Sequence, residues 1–207
     1  MSRALGQIDE SKTEAILEAA QQLFAEKGAS TSMNLIARRA GVSRQTLYNR
    51  FPTKVEIGRA LAARRSDAIS APLRAGGDPE TVLTALAAGL LDKLVEPGAG
   101  ASLRGVALIS PEAPQLAEVV YEAGPAEGLR RLATWLAEQD RLGHLAVPDP
   151  AAAAEMFTGM VLGHGHLRGV LGLAQPPFDR DHRATDTARR FLRAFAPVTV
   201  GDAGGRD

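Results

Sequence analysis

Six polar side chains lie within one short stretch of the chain, between residues 44 and 50. They are two arginines, two amides, a threonine and a tyrosine: Arg44, Gln45, Thr46, Tyr48, Asn49 and Arg50. Arginine can pair with guanine, and glutamine or asparagine with adenine, through two hydrogen bonds each. Tyrosine can donate to phosphate oxygens. The stretch therefore has the chemistry needed to read base edges and hold a nucleic-acid backbone.

Apolar residues around this stretch predict the two helices that would position it. Leu47 and Phe51 lie four apart, so they share the inner face of a short helix for which Ser43 is a good N-cap. Gly41 can end the preceding helix, at residues 35–40, in a left-handed conformation. Val42 can fill the gap between the helices. The pattern predicts a helix-turn-helix whose second helix enters a major groove.

Two capping boxes predict the helices on either side. Ser11 to Glu14 is expected to open a first helix that ends at Lys27-Gly28. Thr53 to Glu56 is expected to open a fourth helix, with Lys54 in its first turn. Because free N–H groups, the helix dipole and an ammonium group all favour an anion, we expect a phosphate contact there.

At these residues the chain resembles the TetR family of transcriptional regulators. The resemblance covers roughly residues 13–57 and includes Ile36-Ala37, Ala40-Gly41-Val42-Ser43, Thr46-Leu47-Tyr48 and Phe51-Pro52-Thr53-Lys54. It implies DNA binding as a dimer, with a separate effector domain. Ser32, Ser43 and Arg50 join the expected DNA-binding residues. Two departures are a loop at 28–31 that is one residue short, and Arg50 where an aromatic residue or histidine is common.

The charge distribution supports a DNA-binding segment at the N-terminus. The 207 residues carry no formal net charge, but residues 1–70 hold 11 Lys/Arg against 7 Asp/Glu, and residues 71–207 hold 13 against 17. From residue 31 to residue 65 there are eight basic residues and one acidic residue, Glu56. A basic head on an acidic body is typical of a DNA reader with a separate second module.

Several function classes lack their motifs. The chain contains no cysteine, so disulfides and thiolate metal sites are excluded. No signal peptide or apolar run of membrane-spanning length occurs, and a cytoplasmic protein without cofactor or membrane partner is expected. The sequence contains no Gly-x-Ser-x-Gly motif, no phosphate loop and no pair of histidines at metal-binding spacing, so nothing in it suggests an enzyme. His164 and His166 are two apart and would face opposite ways on a helix, which disfavours a metal site.

The remaining chain is expected to be all-α, with two domains. Residues 1–52 form the predicted helix-turn-helix domain, 53–70 a connecting helix, and 71–207 an effector-binding and dimerisation domain. Within the last, residues 72–77 read as a linker, and Asp78-Pro79 opens a helix that ends at 96–97. Further helices are expected at 101–109 and 110–123, and a break at Gly124-Pro125 precedes another helix that ends near 141. The last two helices are expected at 150–173 and 180–195, followed by a disordered tail from Pro197.

A homodimer through the last two helices is expected, because two heads about 34–36 Å apart would read two half-sites. Small residues could allow close approach of one helix: Ala154, Gly159, Gly163 and Gly169. The other has an apolar stripe: Ala184, Ala188, Phe191, Leu192 and Phe195. Periodicity alone leaves open that both faces fill the monomer core; the TetR resemblance favours the dimer.

Large or polar-tipped residues on the body helices are the candidates for an effector pocket, although each could instead belong to the core. They are Leu86, Leu90, Tyr121, Trp135, Met156, Phe157, Met160 and His164. Aromatic and methionine side chains suit an apolar or amphipathic ligand. The sequence thus predicts a DNA-binding regulator, most simply a repressor released from a near-palindromic operator by a small molecule. The alternative is an effector-independent, sequence-specific or architectural DNA-binding protein.

Overall fold

The computed structural model describes residues 5–95 and 114–197, and every regular element in these ranges is helical. This confirms the predicted all-α class. The helix expected at 101–109, the expected restart at 110–111 and the tail beyond 197 lie outside the described residues.

Four helices form the N-terminal part, which we call the head. They are α1 (Leu5–Lys27), α2 (Met33–Arg39), α3 (Arg44–Arg50) and α4 (Lys54–Ile69), with a 3₁₀ turn at Gly28–Ser30 after α1. Each helix contributes to one apolar core, whose buried members are Ile16, Leu17, Ala20, Leu23, Ile36, Ala37, Leu47, Phe51 and Ile57. This core fixes how α3 is presented.

The rest of the described chain contains seven helices. They are α5 (Ala71–Ala75), α6 (Pro79–Val95), α7 (Pro114–Tyr121), α8 (Glu127–Arg141), α9 (Pro150–Leu162), α10 (Gly165–Leu171) and α11 (Arg180–Ala194), with a π-turn at Glu122–Ala126 between α7 and α8. The chain divides into two compact units that interleave along the sequence. Of the described residues, the first unit holds 5–68, 93–95, 114–127 and 164–176, and the second holds 69–92, 128–163 and 177–197.

The second unit is held together by apolar packing and by ion pairs from α11. The ring of Phe157 on α9 packs edge-on against Phe191 on α11, with centroids 5.1 Å apart, and both residues are fully buried. On the outside, Arg180 pairs with Asp92 at 2.7 Å and Arg189 with Glu80 at 2.7 Å, which ties α11 to α6.

Several predicted helix boundaries are confirmed by their caps. Asp149 accepts a hydrogen bond from the Ala152 N–H at 3.0 Å, and α9 begins at the next residue, Pro150. Asp78 does the same for the Thr81 N–H at 3.0 Å before α6. The expected end of α1 at Lys27 is also found.

Two expectations in the N-terminal third are wrong. Ser11 is not an N-cap, because α1 begins at Leu5 and the Ser11–Glu14 box lies inside it. No proline before Ser11 stops the helix from extending backwards. The expected linker at 72–77 holds the short helix α5, in which Pro72 occupies a first-turn position where its missing N–H is not needed.

Two expectations in the body are also wrong. Gly124-Pro125 does not break the helix, because the chain runs from α7 into α8 through the π-turn. This wider turn tolerates the absence of an N–H donor at Pro125. The long helix expected at 150–173 is split, because Gly163 takes φ +50° and ends α9. The Arg183 Nη2 caps this end by donating to the Val161 carbonyl at 2.7 Å.

Candidate nucleic-acid interface

The turn between α2 and α3 is fixed by backbone hydrogen bonds. Gly41 has φ +65°, a conformation that a side chain would strain, and its N–H donates to the Arg38 carbonyl at 3.2 Å. The next N–H, of Val42, donates to the Ala37 carbonyl at 3.0 Å. The predicted helix-turn-helix is therefore present in the described structure, with α3 in the position of a recognition helix.

The first turn of α3 is capped by Ser43. Its Oγ accepts from the Thr46 N–H at 3.0 Å and lies 2.8 Å from the Thr46 Oγ1. Both hydroxyls are thus engaged in starting the helix. Leu47, which is fully buried, and Phe51 hold the inner face of α3 against the head core.

The outer face of α3 is exposed and carries four of the predicted DNA-binding residues. They are Arg44, Gln45, Tyr48 and Asn49. Gln45 Nε2 donates to Asn49 Oδ1 at 2.7 Å. No described residue lies within ion-pair distance of Arg44, so its guanidinium is available to a ligand.

Two more of the predicted DNA-binding residues lie at helix starts. Ser32 is exposed and its Oγ accepts from the Leu35 N–H at 3.2 Å, so it is the N-cap of α2. Thr53 accepts from the Glu56 N–H at 3.2 Å, which confirms this half of the second capping box. Lys54, the first residue of α4, is exposed.

Arg50 is placed differently from the other predicted residues. It is half-buried, and its Nη1 donates to the Thr13 hydroxyl on α1 at 2.6 Å. This bond ties the C-terminal end of α3 to α1. The placement favours a role in orienting α3 over the expected contact with DNA.

A basic residue that the sequence reasoning missed lies on α2. Arg38 is exposed and has no ion-pair partner among the described residues. The adjacent Arg39 instead binds both carboxylate oxygens of Glu26 on α1 at 3.1 Å. That hydrogen bond lowers the pKa of Glu26. The signal in the sequence was the spacing of the apolar residues Ile36, Ala37 and Ala40, which leaves Arg38 on the opposite side of the helix.

The connecting helix α4 packs closely against α7 and the π-turn within the first unit. A Cβ at Gly58 would lie 3.4 Å from Val120 Cγ2, and a Cβ at Gly124 would lie 3.3 Å from Ala62 Cβ. Glycine and alanine at these positions let the backbones approach. A shift of α7 would therefore displace α4, which follows α3 in the chain.

The eight predicted effector-binding residues differ widely in their exposure to solvent. Leu86 and Phe157 are buried, Leu90 and Trp135 are half-buried, and Tyr121, Met156, Met160 and His164 are exposed. Phe157 packs on Phe191, as expected of a core residue. Within the described ranges no three His, Cys, Asp or Glu residues cluster as metal ligands would. Among the described helices, none combines the length and apolarity required to span a membrane.

Two family models match the chain in different parts. One, described as bacterial regulatory proteins of the tetR family, matches residues 16–61. The other, described as the C-terminal domain of AefR-like transcriptional repressors, matches residues 81–197, which is more than half of the chain.

The chain is also similar to solved structures over most of its length. A TetR-family transcriptional regulator from Mesorhizobium loti MAFF303099 is 24% identical, with a TM-score of 0.76 over 91% of this chain and 98% of that one. The flavonoid-responsive regulator FrrA is 33% identical, with a TM-score of 0.66 over 91% and 98%. SmeT, in a complex with triclosan, is 23% identical, with a TM-score of 0.61 over 94% and 99%.

Proposed function

This chain belongs to the TetR family of bacterial regulatory proteins, and from that premise we propose that it is a homodimeric repressor released from its operator by a small molecule. Members of the family are DNA-binding transcriptional regulators and not enzymes. The DNA partner implies a cytoplasmic location in a bacterium. The observation that carries the proposal is the exposed polar face of α3, held rigidly by Leu47 and Phe51.

DNA contacts in this proposal divide into two kinds. Arg44, Gln45 and Asn49 lie on the face of α3 that would meet base edges, because they are exposed on its outer side. Lys54, Tyr48, Ser32 and the missed Arg38 contact phosphates and set the register. Thr46 and Ser43 act mainly through the cap that starts α3.

Two relatives support a response to a small aromatic molecule. FrrA is flavonoid-responsive, and SmeT forms a complex with triclosan. We propose an apolar or amphipathic aromatic effector for this chain. Bound effector would favour a conformation in which α4, packed on α7 and the π-turn, holds α3 at the wrong spacing for DNA.

We propose that the dimer forms through the exposed faces of α9 and α11. Of the stripe predicted on α11, Ala184, Ala188 and Phe191 are buried within the single chain and belong to its own core. Met156 and Met160 are exposed on α9, and Gly159 between them has no atom within 4 Å of an added Cβ. A second copy of the chain would cover this face. The two heads would then read the two halves of a near-palindrome.

A footprint on the DNA upstream of the protein's own coding region tests the proposal. At a fixed salt concentration we expect a protected near-palindrome, and loss of protection with Arg44→Ala. Arg141→Ala, which removes an equal charge outside the head, is the matched control and should protect normally. A triclosan or flavonoid titration should release the DNA if the effector is of this class. Protection of random DNA with equal strength would instead favour the architectural alternative.

A further inference from the structure

The exposed face of α3 carries one hydrogen bond between two side chains. Gln45 Nε2 donates to Asn49 Oδ1 at 2.7 Å, one helical turn away. Both residues are exposed, so the core does not require this bond. It joins two residues that the proposed function places at base edges, and it changes which groups each can still offer.

Hydrogen-bond counting assigns the two amides different roles. A glutamine amide has two N–H donors and one carbonyl oxygen. Once the N–H that points away from Oε1 binds Asn49, the other N–H and Oε1 lie side by side on the free edge of Gln45. Adenine presents N7 as an acceptor beside the N6 amino donor in the major groove, which is the matching pair.

Asn49 is less suited to read adenine itself. A bidentate contact would use its Oδ1 together with an N–H, and one of the two lone pairs of Oδ1 is already taken by the bond from Gln45, which restricts the approach of a base to that oxygen. Its amide instead fixes the orientation of Gln45. Without that acceptor the Gln45 amide could rotate by half a turn and reverse its donor and acceptor, which would blur the base preference.

We propose that Gln45 reads an adenine in each operator half-site, and that Asn49 is a positioning residue that holds the Gln45 amide in its adenine-reading orientation. This inference rests on the proposed function and adds one base of the operator. The bond also pre-orders a side chain with several rotatable bonds, so less conformational entropy is lost on binding.

Selection from random duplex DNA by the full-length protein, at one salt concentration, tests the inference. The wild type should enrich adenine about 10-fold at one position of each half-site, which is within the range of a bidentate pair. Gln45→Ala should lose that preference and keep the others. Asn49→Leu, similar in size but without an acceptor, should lose it at the same position.

Asn49→Asp is the matched control, because its carboxylate still accepts from Gln45 Nε2. It should keep the adenine preference while binding all DNA more weakly, since it adds a negative charge facing phosphates. Retention of the preference in Asn49→Leu, its loss in Asn49→Asp, or loss at two different positions in the Gln45 and Asn49 variants would each overturn the inference. A wild type that enriches no sequence would overturn the proposed function as well, whereas an enriched palindrome that Gln45→Ala leaves unchanged would overturn only the inference.

Discussion

Arg38 and Arg39 are neighbours on α2 with opposite surroundings. Arg39 is occupied by the two carboxylate oxygens of Glu26, whereas Arg38 has no ion-pair partner in the described part of the chain. A cation already neutralised by a carboxylate releases little counterion when it meets DNA. The two residues therefore allow a charge-matched comparison within a single turn of helix.

Arg38→Ala should reduce the slope of log binding constant against log salt concentration by about 1, because one phosphate contact is lost. Arg39→Ala removes the same charge and should leave that slope nearly unchanged. The measurement is a set of binding isotherms on one operator fragment at several salt concentrations. Equal changes in both variants would contradict the assignment of Arg38.

The ion pair between Arg39 and Glu26 predicts how the stability of the head depends on pH. Arg39 lowers the pKa of Glu26, chiefly through the side-chain hydrogen bond, from an ordinary value of 4.5. A lowered folded pKa adds stability above that ordinary value, and the addition is lost as pH falls through the folded pKa. The melting temperatures of the wild type and Arg39→Ala should therefore differ slightly at about pH 7 and converge as the pH falls well below 4.5. A difference that persists at low pH would show that Arg39 acts through packing.

At the scale of elements, α4 packs closely against the π-turn within the first unit. Gly124 lies against Ala62, and neither residue has a side chain that could rotate away. Packed interfaces of this kind shift between discrete arrangements and do not deform smoothly. This makes the junction a suitable relay between α7 and α4.

Gly124→Val should destabilise the protein by roughly 1–3 kcal/mol, because the added methyl groups overpack the junction. At a chain length of this order, each kcal/mol lowers the melting temperature by about 2–4 °C. Gly124→Ala adds only one methyl group and should cost less. Thermal unfolding of the three proteins checks this order, and an unchanged melting temperature in Gly124→Val would mean that the junction opens readily.

The sequence was sufficient where the determinant is local. Asp149 caps α9 through a contact three residues away, and Leu47 and Phe51 reveal the buried face of α3 by spacing alone. It was insufficient where the determinant is distant. Pro125 lacks a backbone N–H donor, so the sequence predicts a helix break there. The structure has a π-turn instead, and Gly124 in this turn packs on the distant Ala62. Similarly, only the fold brings Glu26 to Arg39.

At the scale of the whole molecule, α9 presents two opposite faces. Phe157 and Val161 are fully buried, whereas Met156 and Met160 are 54% and 41% exposed. Gly159 lies on the exposed side with open space around it. Two exposed methionines around a glycine suit close contact with another helix, so we assign them to the proposed dimer and not to the effector pocket.

Gly159→Ala distinguishes a monomer from the proposed dimer by the sign of its effect. In a monomer the substitution should stabilise α9 by about 0.5–1 kcal/mol, because alanine loses less backbone entropy and meets no atom. In the dimer the new methyl group should push the helices apart and weaken association. Sedimentation analysis at several concentrations, with thermal unfolding, measures both quantities.

Met156→Lys provides a second test of the same face, since a charge buried at the interface should favour monomers. Ala151→Lys, which adds the same single positive charge at another exposed position of α9, is the control. A dimer unaffected by Met156→Lys would place the interface elsewhere.

The division of α3 into an anchored face and a solvent face has an evolutionary consequence. Arg44, Gln45 and Asn49 contribute nothing to the core, so replacing them should change folding stability by only about 0.5 kcal/mol or less. After a gene duplication, one copy could drift toward a new operator through single substitutions, each of which leaves a folded protein. Mutations on the outer face of α3 can therefore change which operator the head binds without unfolding the head.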